Sequence, residues 1–140
     1  MRITFDITPI PASRPRVSRW STYYPKRYTE FRKEMKALTS ELDTTPFEKS
    51  VSVSVVFHIG MPKSWSKKKK KEKNEGFCDN NADLDNYQKA ILDSLNGVLY
   101  IDDRQIVEIF ASKRYSDKPF IELEIHEIGE WNDCREIGNV

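Results

Sequence analysis

Apolar and polar positions alternate in three stretches of this chain and recur at helical spacing in two. Residues 2–7 put Ile3, Phe5 and Ile7 on one face and Arg2, Thr4 and Asp6 on the other, the pattern of a half-buried strand. Residues 51–59 carry the strongest strand signal, with Val51, Val53, Val55, Phe57 and Ile59 against Ser52, Ser54, Val56 and His58. Residues 106–115 and 119–126 read as two further strands around a hairpin-like turn at Ser116-Asp117-Lys118-Pro119. In the last of these Ile121, Leu123 and Ile125 face in, and Glu122, Glu124 and His126 face out. Tyr28, Phe31, Met35, Leu38 and Leu42 step by three and four, which predicts a helix over 27–42, stopped at Thr44-Thr45-Pro46. Leu84, Tyr87, Ile91, Leu95 and Val98 do the same over 84–96, with Asp83 or Asp85 as N-cap and Gly97 just past the end. Val98-Leu99-Tyr100-Ile101 then reads as extended chain leading to Asp102-Asp103.

The resulting order is β-α-β-α-β-β. It predicts an α+β (mixed α/β) fold: a single sheet of about four strands with two helices packed on it. A length of 140 residues suits one domain. We place it at residues 1–128, followed by an acidic C-terminal tail at 129–140. No apolar run reaches the length of a membrane span, and Met1–Asp6 is too polar for a signal peptide. Cys78 and Cys134 stand far apart without C-x-x-C spacing, so they read as free thiols of a reducing cytoplasm.

Charge changes this picture. The formal net charge is +1, yet residues 1–73 carry a balance of +10 and residues 74–140 one of −9. Either the halves cancel in the fold, or a basic surface meets a polyanion while carboxylates are kept for a metal. Two basic stretches fit the second possibility. Arg14, Arg16 and Arg19 lie in a Pro-broken segment with Trp20, Tyr23 and Tyr24, and such a segment can grip phosphates and stack on bases. Lys67, Lys68, Lys69, Lys70 and Lys71, with Lys73, read as a mobile loop or helical end able to exchange counterions for phosphate, or simply as a solvated patch. His58 has no ligand-type neighbour at suitable spacing and carries no chemical assignment.

The acidic counterpart is concentrated. Asp83, Asp85, Asp93, Asp102 and Asp103 fall between residues 83 and 103, with Lys89 among them. At ~1.5 Å per residue the helix from Leu84 to Asn96 is about 18 Å long. An extended return from Gly97 to Asp103 covers about 20 Å. A reversal at Gly97 would therefore bring Asp102 and Asp103 level with Asp83 and Asp85, and a dimer could build the same cluster from two chains. Gathered carboxylates repel unless neutralised, and Mg²⁺ takes hard oxygen ligands of this kind. Lys89 could orient water or stabilise charge on a phosphate oxygen. It could equally form an ion pair one turn away with Asp85 or Asp93. Asp93 reads as structural, since it lies two turns from the helix start.

The run D-L-D-N-x-x-K-x-x-x-D-x-L-N-G followed by D-D-x-Q resembles the signature of the RusA family of Holliday junction resolvases. Here it comprises Asp83, Asp85, Asn86, Lys89, Asp93, Leu95, Asn96, Gly97, Asp102, Asp103 and Gln105. The S-R-P-R-V segment from Ser13 and the M-P-K-S-W segment from Met61 resemble phage and prophage members, and the likeness extends over about residues 3–126. One departure is Asn81-Ala82, where the family often has a basic residue and a proline. The resemblance implies a Mg²⁺-dependent endodeoxyribonuclease (with Mn²⁺ a possible substitute) that acts as a homodimer on four-way DNA junctions. It would nick two strands symmetrically in recombination and repair, inside a bacterial cytoplasm. It further implies Asp83, Asp85 and Asp103 as essential carboxylates, Lys89 as the essential lysine and Asp102 as a weaker metal ligand. No membrane or organic cofactor is implied. The alternatives are a non-catalytic DNA-binding accessory protein and a metal-dependent nucleotide phosphohydrolase.

Overall fold

The computed structural model describes residues 1–128; the expected tail at 129–140, with Cys134, lies outside the described residues. The elements are β1 (Arg2–Phe5), β2 (Arg16–Val17), β3 (Thr22–Tyr23), α1 (Lys26–Ser40), β4 (Val51–Gly60), α2 (Lys67–Lys73), α3 (Leu84–Leu95), a 3-10 turn (Asp103–Gln105), β5 (Ile106–Ser116) and β6 (Phe120–Glu127). Four strands form one mixed sheet in the order β1-β6-β4-β5, and β2-β3 make a separate two-stranded ribbon. The α+β reading is therefore correct, with a third helix: the lysine run is α2.

β4 is the hub. Val51, Val53, Val55 and Phe57 are buried on one face, as the alternation requires. Phe5 of β1 and Ile121, Leu123 and Ile125 of β6 extend that apolar floor. Tyr28, Phe31 and Met35 of α1, with Tyr87, Ala90, Ile91 and Leu95 of α3, close over it. The opposite face of the sheet is mixed, with exposed Ser54, Glu124 and His126 beside an exposed Phe110. There the Ser52 hydroxyl donates to Glu108 Oε1 at 2.7 Å. His58 stacks on Phe120 with ring centroids 3.8 Å apart and meets Glu122 through Nε2 at 3.1 Å, so it is held as a cross-strand partner.

The expected hairpin between the last two strands is not formed. β4 lies between them, parallel to β5 (Val53 opposite Ile109) and antiparallel to β6 (Val53 opposite Ile125). Residues 117–119 instead pass over the C-terminal end of β4. A Cβ added at Gly60 would stand 3.2 Å from the Pro119 ring, which is why the strand ends in glycine there. Turn chemistry marks where a chain reverses; it does not say which strand waits on the other side.

Four tyrosines have their proton affinity raised by the fold. Burial is the first cause for Tyr28, Tyr87, Tyr100 and Tyr115. Tyr115 is pushed up to about 12, with its bond to Asp79 adding to burial. These groups stay neutral in the folded chain while the unfolded chain ionises near pH 10, so their stabilisation is complete below about pH 10 and is lost as pH rises through the folded values. We expect stability to fall between about pH 10 and 12. The fall should be shallower in Tyr115→Phe, as read by circular dichroism in denaturant at stepped pH. An unchanged slope in that variant would contradict the assignment.

Candidate active site

Asp83 occupies the N-cap position of α3 in an extended conformation, but its carboxylate makes no capping hydrogen bond. Its backbone carbonyl accepts from Asn86 N at 3.1 Å and from Tyr87 N at 3.4 Å instead. Asp85 follows in the first turn, where the helix dipole favours a negative charge. Asp85, Lys89 and Asp93 succeed one another along α3, each one turn beyond the last. None of these four side chains enters an ion pair among the described residues. The simple pairing of Lys89 with Asp85 or Asp93 is thus not made.

The loop leading into Asp83 is fixed from beneath. Residues 75–78 pair with the outer edge of β5: Glu75 N donates to Tyr115 O at 2.8 Å, Tyr115 N to Gly76 O at 2.9 Å, and Cys78 N to Lys113 O at 2.9 Å. Lys113 Nζ then donates to Ala82 O at 2.7 Å and to Asn80 Oδ1 at 2.8 Å, with Asn80 O at 3.4 Å. Asn80 Nδ2 donates in turn to the Tyr87 hydroxyl at 2.9 Å. Lys113 has no carboxylate partner among the described residues, and the peptide group it holds joins Ala82 to Asp83. Sequence reasoning passed over Lys113 and Asn80. The available signal was a lysine in register with Ile109 and Ala111, on the face of β5 that turns toward the helices.

Asp102 and Asp103 are delivered differently from the extended return expected. Val98 N and Leu99 N both donate to Leu95 O, at 3.0 and 3.1 Å, and Gly97 N donates to Tyr100 O at 2.7 Å. Gly97 takes the left-handed φ of 82° anticipated for the residue after the helix. Leu99 and Tyr100 are adjacent and both fully buried in this turn, and Leu99 O accepts from Phe47 N at 2.8 Å. The Tyr100 hydroxyl donates to Leu92 O. Burial is the first cause that pushes its pKa up, and the charges of Asp103 and Asp93 add to it. Among the described residues no three His, Cys, Asp or Glu side chains are grouped to hold a metal ion.

That turn is itself held firmly. The backbone N–H of Arg104, 3.0 Å from Asp102 Oδ1, keeps the Asp102 carboxyl below the usual carboxylate range. Gln105 Oε1 accepts from Ile101 N and Asp102 N, both at 2.8 Å. Its Nε2 donates to Phe47 O at 2.8 Å and Lys49 O at 2.9 Å. The amide is saturated, which gives the glutamine of the D-D-x-Q run a structural purpose.

Comparison with known proteins then places the chain. Residues 6–126 match the family described as Endodeoxyribonuclease RusA. The chain belongs to that family. It is also 45% identical over 82 residues to the "Uncharacterized protein YqaN" of Bacillus subtilis (strain 168). That stretch is 56% of this chain and 58% of the relative, so the chain spans little more than half of that protein's length.

In this RusA-family chain the two basic stretches stand on separate elements. Arg16 belongs to the β2–β3 ribbon, with Arg14 and Arg19 exposed on either side of it. Lys67–Lys71 form α2, whose N-cap Ser66 accepts from Lys69 N at 3.2 Å. Lys69 Nζ lies 4.4 Å from the Trp65 ring centre, and Trp65 packs edge-on against Tyr115, which ties α2 to β5. No helix among the described residues is long and apolar enough to cross a membrane.

Two outcomes test the supports. Gln105→Glu puts an oxygen against Phe47 O and Lys49 O, and by ordinary hydrogen-bond energies it should cost about 2 kcal/mol in urea unfolding. A cost within about 0.5 kcal/mol, the usual size for an indifferent surface change, would show that the amide is not a staple. Lys113→Met should leave far-UV circular dichroism intact while speeding hydrogen exchange of the amides of residues 78–83, compared with wild type by mass spectrometry. Unchanged exchange there would remove Lys113 from the account.

Proposed function

We propose that this chain is a Mg²⁺-dependent endodeoxyribonuclease, with Mn²⁺ as a substitute, that acts as a homodimer on four-way DNA junctions. It makes paired symmetric nicks in recombination and repair, in the cytoplasm of a bacterium whether chromosomally or phage encoded. The observation that supports this best is the unspent state of Asp83 and Asp85. In a family of endodeoxyribonucleases, two carboxylates at a helix start make neither capping bond nor ion pair among the described residues.

The donor chemistry fits a hard divalent cation, because the candidates are all carboxylates. Asp83, Asp85 and Asp103 would hold the ion, with Asp102 less available since one oxygen already accepts from Arg104 N. The set is not gathered within the described residues of one chain, so Asp103 must approach the start of α3 by movement or from a second copy. A bound ion would supply activated water and charge for the attacked phosphodiester. Lys89, one turn from Asp85, can offset charge building on a phosphate oxygen. Arg14, Arg16, Arg19 and Lys67, Lys68, Lys69, Lys70 and Lys71 would hold the DNA backbone. A twofold dimer suits a substrate that needs two matched cuts.

Nicking of a synthetic four-way junction in Mg²⁺, abolished by EDTA, is the expected result. Asp83→Asn, Asp85→Asn and Asp103→Asn should each slow it by about 100-fold or more, the scale of one catalytic group, with junction binding retained. Tight junction binding without any nicking would instead establish the accessory reading. Hydrolysis of free nucleotides but not of junctions would point to a phosphohydrolase.

The lysine helix has its own test. Changing Lys67–Lys71 together to Gln should weaken junction binding and flatten the dependence of log affinity on log salt by about 0.9 for each phosphate that is no longer neutralised. Equal affinity and equal slope would leave α2 as a solubility patch.

A further inference from the structure

The β2–β3 ribbon carries an aromatic side chain that the fold does not use. Arg16 pairs with Tyr23 and Val17 with Thr22. The turn between them is closed by its own bonds: Ser18 Oγ accepts from Ser21 N at 3.0 Å and from Trp20 N at 3.3 Å, and Ser18 N donates to Ser21 O at 2.7 Å. Trp20, at the tip, is 86% exposed, and the Arg19 guanidinium carbon lies 5.6 Å from its ring centre. An indole in water forgoes one of the largest burial gains any side chain can make, so its placement calls for an occupant.

Two observations say what the occupant is. No Asp or Glu stands between Asp6 and Glu30, whereas Arg14, Arg16, Arg19, Lys26 and Arg27 all do, so the ribbon faces a polyanion. The root of the ribbon is also fixed beside the candidate site, because Ala12 N donates to Asn86 O in the first turn of α3 at 2.9 Å. Its return is anchored on α1, where Tyr24 meets Tyr28 edge-on at 5.6 Å and the Arg32 guanidinium lies 5.1 Å over Tyr24. An aromatic face beside guanidinium groups is the surface that nucleobases stack on. In continuous duplex both faces of every base are already covered by neighbours. A face becomes free where stacking is interrupted, as at a branch point.

We propose that Trp20 stacks on an unstacked base at the branch point, and that this stacking separates branched DNA from continuous duplex. The inference rests on the nuclease reading above and adds the residue that reads the shape of the substrate. Trp20 is a binding residue here.

The test uses the full chain without divalent metal. Anisotropy of a labelled four-way junction and of a linear duplex of equal length gives two affinities for wild type, Trp20→Ala and Trp20→Phe. Trp20→Ala should weaken junction binding about ten-fold, the scale of one base stack, and leave duplex binding unchanged within about two-fold. Trp20→Phe should recover most of the affinity. A 2-aminopurine at the branch should be quenched by wild type and not by Trp20→Ala. Equal weakening on both DNAs, or none on either, would overturn the proposal. So would a change in solution mass of Trp20→Ala, which would make the ribbon an interface between copies of the chain. If wild type itself shows no preference for the junction, the nuclease reading fails; if that preference survives Trp20→Ala, this inference alone fails.

Discussion

The parallel pairing of β4 with β5 is the constraint on which the rest depends. Antiparallel neighbours can be joined by a tight turn, but parallel neighbours need a long crossover. Here the crossover runs from Gly60 to Ile106 and contains α2, the loop onto β5, α3 and the 3-10 turn. Every carboxylate of the candidate site lies in it, together with Lys89 and the lysine helix. The chain has gathered its candidate chemistry into one connection and left it open to solvent, with Asp83, Asp85, Lys89 and Asp103 exposed. The apolar stripe of α3, packed against α1 and β5 with Tyr87 against Phe57 of β4, orients that connection.

Two polar side chains hold the crossover near its two carboxylate groups. Lys113 reaches up from β5 to the peptide before Asp83, and Gln105 bridges the Asp102 turn to the stretch of chain around Phe47. Both bind neutral acceptors or backbone groups, so neither consumes a carboxylate. A carboxylate acting as the anchor would have been neutralised by its partner and withdrawn from further chemistry. Asp102 is the aspartate of the group that spends an oxygen on capping, through Arg104 N. Such bonds are worth about 1 kcal/mol each, so Gln105, with four, is a substantial local support.

What can be read from the sequence divides along physical lines. Periodicity reports burial, and here it reports it correctly: the inward faces of β4 and β6 and the stripes of α1 and α3 are those of the apolar pattern. The motif around Asp83 is legible because a long run of spaced polar residues is hard to produce by packing needs alone. Partners across space are not legible. The pairing of β4 with both β5 and β6 depends on which apolar faces meet, and Ser116–Pro119 contains no trace of it. The compact turn at Val98–Tyr100 is closed by bonds to Leu95 O and from Gly97 N, while a local reading gives four apolar residues an extended path. The run at α2 does not declare itself a helix because like charges repel. Its cap at Ser66 and the Trp65 face under Lys69 lie just outside the run itself.

The charge asymmetry left open by the sequence has an answer in the ion pairs. The described residues form five, and none joins the lysine helix or the arginines near Trp20 to the aspartates of the crossover. Contact between the two halves is confined to pairs such as Arg2–Glu124 and Lys118–Asp6, and the lysine helix and the arginines near Trp20 keep their field in solvent. A polyanion drawn to the basic elements would approach carboxylates that repel it, an arrangement unfavourable unless a cation stands between them. Asp83 and Asp85 stand at the start of α3, Asp103 stands on a turn held separately by Gln105, and no three of the candidate carboxylates are grouped among the described residues. In the metal-dependent reading, the site is completed by displacement of the Asp102–Asp103 turn, which Gln105 resists, or by carboxylates from a second copy, which it does not.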